Sequence, residues 1–105
     1  MSGSGGSAYV APQRASFDCD KSVIITDVSS VDIDVLNRSS IGNILAVILN
    51  EDDILQLEDS NGEVLGVVLH RNTADIIECI KNGADYQAEI TLINTPSCKV
   101  KISRI

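Results

Sequence analysis

The residues best suited to chemistry in this 105-residue chain are few and scattered. His70 is the sole histidine, and Arg71 and Asn72 follow it directly. A histidine works as a general base or activates a nucleophile only beside a suitably placed partner, and no motif marks one here. Next to a helix start, His70-Arg71 suits an anion instead. Free N–H groups and the positive end of the helix dipole attract negative charge, and a guanidinium adds a bidentate contact. A second group of basic residues, Lys99, Lys101 and Arg104, forms a strip near the C-terminus. With Arg71 the strip would make a nucleic-acid track, although base stacking needs exposed aromatics and only Tyr9, Phe17 and Tyr86 are present. The simpler arrangement pairs Lys99 and Lys101 with Glu89 across strands.

The acids offer a second chemistry. Glu51, Asp52 and Asp53, with Glu58 and Asp59, gather oxygens of the kind hard cations take. They lack the D-x-D-x-D-G spacing of a calcium loop and read as solvated turn charge. Asp32 and Asp34 on one strand would place two carboxylates about 7 Å apart on one face, a spacing open to metal or acid–base work and equally to the wet side of an amphipathic strand. Cys19, Cys79 and Cys98 are odd in number and have no metal-ligand spacing. They read as reduced thiols in a cytoplasmic setting, and a zinc site built from them with His70 is disfavoured. No P-loop, dinucleotide fingerprint or nucleophile elbow occurs. The expectation is therefore a non-enzymatic domain with no metal and no cofactor. The net charge of −7 disfavours long-range attraction to phosphate backbones. No apolar run reaches the ~18 residues of a membrane helix, and no leader of basic and apolar type opens the chain.

The elements that would position these groups follow from periodicity. Residues 1–16, which begin Met-Ser-Gly-Ser-Gly-Gly-Ser, read as a flexible Gly/Ser-rich arm. Residues 17–105 then form the folded domain. "VIITDV" (23–28) is a short β-branched strand, and "VDIDVL" (31–36) alternates as a half-buried strand, with Val31, Ile33 and Val35 inward. "ILAVIL" (44–49) reads as a fully buried strand. Residues 54–69 read as a hairpin turning at Asn61-Gly62, where positive φ is needed. Gly66, inside its second strand, signals a bulge, a bend or the close approach of another backbone. A helix over 73–82 is N-capped by Asn72 with Asp75 three residues on, carries Ile76, Ile77 and Ile80 inward, and stops at Gly83. "YQAEITLI" (86–93) places Tyr86, Ala88, Ile90 and Leu92 inward, and "KVKISRI" (99–105) places Val100 and Ile102 inward. With one Phe and no Trp, the core is aliphatic. The fold class is α+β: a small, mostly antiparallel, barrel-like sheet with one or two helices.

The stretch 62–93, "GEVLGVVLHRNTADIIECIKNGADYQAEITLI", resembles the second half of a HIRAN domain. It has a turn, a hydrophobic-Gly-hydrophobic strand, a short helix with Ala near its start, Gly after the helix and an alternating strand. Upstream, "GNILAVILNEDD" (42–53) sits where that family has Gly, a strand and a polar segment, so the resemblance spans about residues 42–102. It implies an OB-like β-barrel and binding of single-stranded DNA or DNA ends in a repair, replication or phage context, with His70 or Arg71 as the basic residue near the helix start. The family's Asn-Pro-x-Asp type motif is replaced by Asn50-Glu51-Asp52-Asp53, and its aromatic after the glycine by Val67. The DNA contacts expected on this basis are Arg71, His70, Lys99 and Lys101, and the structural residues are Gly62, Gly66, Asn72 and Gly83. The alternative is a protein-interaction or self-assembly module, since exposed sheet edges invite strand addition.

Overall fold

The computed structural model describes residues 17–105, and the arm expected over 1–16 lies outside the described residues. The elements are β1 (Ile24–Asp27), α1 (Ile33–Asn37), β2 (Ile44–Leu49), β3 (Leu55–Glu58), β4 (Val64–Val68), α2 (Thr73–Lys81), β5 (Tyr86–Asn94) and β6 (Ser97–Arg104). The strands make one antiparallel sheet in the order β1-β6-β5-β2-β3-β4. It curls into a half-barrel, the α+β architecture that the alternating patterns imply.

The curl brings the two ends of the sheet together. Ser29, two residues past β1, bridges Val67 of β4: its N–H donates to the Val67 carbonyl at 2.8 Å, and the Val67 N–H returns a bond at 2.9 Å. Asp32 N–H adds a bond to the Leu65 carbonyl at 2.8 Å. Gly66 lies at this meeting point. A Cβ there would stand 2.5 Å from Val28 Cγ1 and 2.6 Å from the Ser29 carbonyl oxygen, so only glycine lets the backbones close. The bulge is present as well. Leu57 pairs with Gly66 but Glu58 pairs with Val64, which leaves Leu65 as the extra residue. Leu65 and Gly66 are consequently buried in succession.

Burial follows the strand period. Leu45, Val47, Leu55, Leu57, Ile90, Val100 and Ile102 point into an aliphatic core, joined by Leu65, Val68, Ile76 and Tyr86. The β3–β4 hairpin is present, with Gly62 at φ +79°. Its connection is longer than an Asn-Gly pair: Asp59 N–H donates to the Glu63 carbonyl, and Asp59 Oδ1 accepts from the N–H groups of Asn61 and Glu63. α2 ends as expected. Gly83 adopts φ +102°, Ala84 N–H reaches the Cys79 carbonyl at 2.9 Å and Gly83 N–H the Ile80 carbonyl at 3.0 Å, a Schellman closure.

Five expectations are corrected. Residues 31–36 are not a strand: Asp32 caps α1, its Oδ1 accepting from Asp34 N–H at 3.0 Å and Val35 N–H at 3.2 Å. Val35 and Leu36 are buried together, which a helical turn allows and a regular strand does not. β2 is half-buried rather than fully buried, with Ile44 and Ile48 on the outer face. Leu92 points outward because β5 shifts register against β6 between Ile90 and Leu92, leaving Thr91 extra. Asn72 occupies the N-cap position of α2 without a side-chain capping bond, because its amide donates to Asp75 Oδ2 at 2.9 Å. Cys19 and Cys79 are not reduced thiols but a disulfide closing 60 residues of sequence, while Cys98 is free and buried.

Candidate functional site

The expected DNA contacts separate into two places. His70 and Arg71 follow β4 and lead into α2, where His70 is committed to structure. Its Nδ1 accepts the Asn72 N–H at 3.0 Å, and its own N–H donates to Thr73 Oγ1 at 2.8 Å. Arg71 is exposed and has no ion-pair partner among the described residues. Lys99 and Lys101 lie on the outer face of β6. Lys101 stands opposite Glu89 and Ile25, whereas Lys99 stands opposite Leu92 and Asp27 and bonds Asp27 Oδ1 at 2.8 Å. Arg104, the third cation of the strip, is paired with Asp20. No hydrogen bond or ion pair among the described residues joins the His70-Arg71 pair to the β6 lysines.

The acids are dispersed too. Asp32 is used as a helix cap, Asp53 takes φ +59° in the β2–β3 turn and pairs with Lys81 at 3.2 Å, and Asn50 Oδ1 organises that turn by accepting from Asp52 and Ile54 N–H. Among the described residues no group of three or more His, Cys, Asp or Glu side chains is placed to hold a metal. Two shallow clefts flank the paired side chains of Arg38 and Glu63. One of about 500 Å³ touches Asn43 and Asp59, and one of about 400 Å³ touches Asp32 and Asp34.

Two titrating groups are displaced from their ordinary range. Burial pushes the Tyr86 phenol up, against the opposing pull of Arg104, and its hydroxyl donates to the Cys19 carbonyl at 2.8 Å. Burial also pushes the Cys98 thiol up, with the Asp27 carboxylate adding to the effect. Both changes favour the neutral form in a structural setting. Together with the disulfide and the Arg104–Asp20 pair, the Tyr86 bond ties the segment before β1 onto α2 and the ends of β5 and β6.

The feature that stands apart is the outer edge of β1. Val28 and Cys98 are in register, and Val28 N–H bonds the Cys98 carbonyl at 3.0 Å. Narrow hydrogen-bonded pairs alternate with wide pairs in an antiparallel ladder. Ile24, Thr26 and Val28 therefore aim their main-chain groups at β6, while Ile25 and Asp27 aim theirs away. Ser29, on the same edge, meets Val67, but the ladder stops at that bridge. Among the described residues the outward N–H groups of Ile25 and Asp27 have no backbone partner. Beside this row stand Val23, 53% exposed, and Ile25, 62% exposed. Its short β-branched sequence identified the strand, but its place at the end of the sheet depends on pairing and was not visible. In comparison with known proteins, no family model matches the chain, and no curated protein or solved structure matches it.

Proposed function

We propose that the domain is a non-catalytic protein-binding module that docks an extended main chain on the outer edge of β1. The observation that carries this reading is that the outward N–H groups of Ile25 and Asp27 have no backbone partner among the described residues and stand beside exposed Val23 and Ile25. An extended segment laid there would satisfy the peptide groups through the ladder and seat alternate side chains on the apolar pair. The test is affinity selection of displayed peptides, counter-selected with Ile25→Pro. That substitution deletes an outward N–H and leaves the ladder to β6 intact. Ile25→Lys serves as a second variant should proline perturb folding. Selection of strand-forming peptides whose binding is lost in either variant supports the reading, and binders indifferent to both variants overturn it.

A second reading retains single-stranded DNA as the ligand, as the HIRAN resemblance implies. It draws on Arg71 and Lys101, the two cations of the expected set without an ion pair among the described residues. Anisotropy with labelled single-stranded oligonucleotides at low salt separates the two, since phosphate contacts are strongly salt-dependent. Binding weakened by Arg71→Ala and by added salt would favour DNA. Absence of binding below about 100 µM would remove it. The cytoplasmic setting expected from reduced thiols loses its ground in the Cys19–Cys79 disulfide. No helix among the described residues is long and apolar enough to cross a membrane.

A further inference from the structure

We propose that the Cys19–Cys79 disulfide is a redox latch: a dithiol that reduces it releases the strap formed by residues 17–22 from the end of the half-barrel and uncovers the Tyr86 hydroxyl, while the sheet stays folded. The inference does not depend on the edge-docking reading above.

What the bond holds is a short peripheral segment. Cys19 lies shortly before β1, and β1 is secured without it, through its ladder to β6 and the Val28 N–H bond to the Cys98 carbonyl. At the other end of the bond, α2 is anchored on its own account by fully buried Ile76 and by the closure at Gly83. The strap makes a turn of its own. Asp18 Oδ1 accepts from the N–H groups of Asp20 and Lys21, and Ser22 N–H bonds the Asp18 carbonyl at 2.9 Å. These bonds are local and do not need the strap to be docked. Its noncovalent ties to the body among the described residues are few: the Tyr86 hydroxyl on the Cys19 carbonyl, Arg104 with Asp20, and Phe17 and Cys19 packed against the core. The Asp20 side chain is 73% exposed, and an ion pair so open to water contributes little. Docking is also opposed from within. Arg104 Nε is buried with no hydrogen-bond partner among the described residues, and a buried unpaired donor favours any motion that returns it to water. The disulfide therefore supplies most of the strap's hold.

The bond is reachable by exchange. Cys19 is half-buried whereas Cys79 is 5% exposed, so an attacking thiolate meets the Cys19 sulfur first. A bond forms between the attacking sulfur and Cys19 Sγ, the bond between the two cysteines breaks, and Cys79 leaves with the electron pair and takes a proton. The second thiolate of the dithiol then attacks the first, closing a disulfide in the reductant and freeing Cys19, which is protonated in turn. The chain gains two thiols and the dithiol is oxidised. Exchange with an added disulfide reverses the steps. Buried Cys98 lies near the start of β6, away from Arg104 at its end, and takes no part.

The test is limited digestion of the full chain with a lysine-specific protease, before and after dithiothreitol, read by mass spectrometry. Lys21 lies in the strap and Lys99 and Lys101 lie in β6, so the sites separate strap release from global unfolding. Cleavage after Lys21 should speed up about tenfold or more on reduction, because proteolysis follows the population of the open form. Cleavage after Lys99 and Lys101 should stay unchanged, and oxidised glutathione should restore the slow rate at Lys21. In a Tyr9→Phe chain, where Tyr86 is the sole tyrosine, acrylamide should quench its fluorescence more strongly after reduction. Cys19→Ser should behave as the reduced chain without any reductant, and the reduced wild type serves in its place should that variant not fold. Equal cleavage at Lys21 in both states overturns the latch. Cleavage in β6 that rises in parallel also overturns it, because the bond then staples the whole fold. Three titratable thiols in a chain equilibrated with oxidised glutathione overturn it as well.

Discussion

Replacing Gly66 with alanine tests the account of how the sheet closes. Gly66 does not use the left-handed region, since the positive-φ glycines are Gly42, Gly62 and Gly83. Its substitution therefore carries no conformational penalty of that kind, and alanine in a strand even lowers the entropy of the unfolded chain. What remains is contact. The new methyl would stand 2.5 Å from Val28 Cγ1 and 2.6 Å from the Ser29 carbonyl oxygen, about 1 Å inside ordinary carbon contact at ~3.5–4.0 Å. Val28 is itself buried at 7% exposure and cannot swing into solvent. The Ser29 carbonyl accepts the Val67 N–H, and Ser29 N–H donates to Val67, so relieving the overlap stretches that bridge. Overpacking of this kind costs about 1–3 kcal/mol, and each weakened bond of the bridge up to about 0.5–1.5 kcal/mol.

A loss of about 2–4 kcal/mol follows for Gly66→Ala, and more for Gly66→Val. For a domain of this size it should lower Tm by roughly 10–25 °C. The assay is thermal and urea unfolding followed by circular dichroism, with Val28→Ala and the double variant completing a cycle. Removing the Val28 methyls relieves one of the two overlaps, so the double variant should be more stable than the sum of the single effects, while the Ser29 oxygen keeps it below Val28→Ala alone. A Gly66→Ala protein melting within about 2 °C of wild type would refute the steric account of closure.

Three further outcomes follow from the same contacts. Reduction of Cys19–Cys79, which spans 60 residues, should cost up to about 4 kcal/mol by loop-closure entropy; urea midpoints with and without reductant measure it, and equal midpoints refute it. Tyr86→Phe removes the bond to the Cys19 carbonyl and should cost about 0.5–1.5 kcal/mol. Burial raises the Tyr86 pKa in the folded state, so Tyr86 contributes stability that is intact below its unfolded value of about 10 and declines as pH rises from there toward the folded value; the wild type should lose stability over that alkaline range more steeply than Tyr86→Phe, as urea melts across it will show. Asp32→Ala leaves the first N–H groups of α1 without their acceptor and should cost about 1 kcal/mol, whereas Asp32→Asn retains most of the cap, both read from chemical melts.

Local periodicity made much of the sheet legible. Residues 86–93 and 99–105 show their strands because hydrophobic side chains alternate toward one core, and residues 44–49 and 54–69 show theirs as short apolar runs bounded by turn residues. Residues 31–36 carry an equally good alternation and form a helical turn. Asp32 sits after a Ser-Ser pair whose second member takes φ 53°, and a cap followed by paired Val35 and Leu36 outweighs five alternating residues. Leu92 was misread for a different reason: a single bulged residue, Thr91, inverts every position after it. Gly66 was readable because glycine in an aliphatic strand has few structural uses, and crowding is one of them. The disulfide was not readable, since a sequence separation of 60 between Cys19 and Cys79 carries no spacing signal. The candidate edge was hidden similarly, because strand order is settled by pairings that span most of the chain.

Closure and exposure in this fold are two consequences of one geometry. A barrel whose ladder continues all the way round has no edge to defend. Here the ladder between the two ends of the sheet is a single bridge, Ser29 with Val67, made possible by the bare backbone of Gly66. Beyond the bridge the chain turns at Ser30 toward the cap of α1, and Asp32 spends its own N–H on Leu65. That pins one end of the seam and fixes β1 in place, while the outward N–H groups of Ile25 and Asp27 have no backbone partner among the described residues. Edge strands are commonly blunted by charge, and Asp27 with Lys99 supplies some here. The start of the strand, from Val23 just before it to Ile25, carries no charged residue. The edge is held and short, apolar at Val23 and Ile25 and charged at Asp27. Under the docking reading proposed above, the Gly66 experiment bears on binding as well as stability: loosening the bridge frees β1, and peptide binding at its edge should weaken together with the fold.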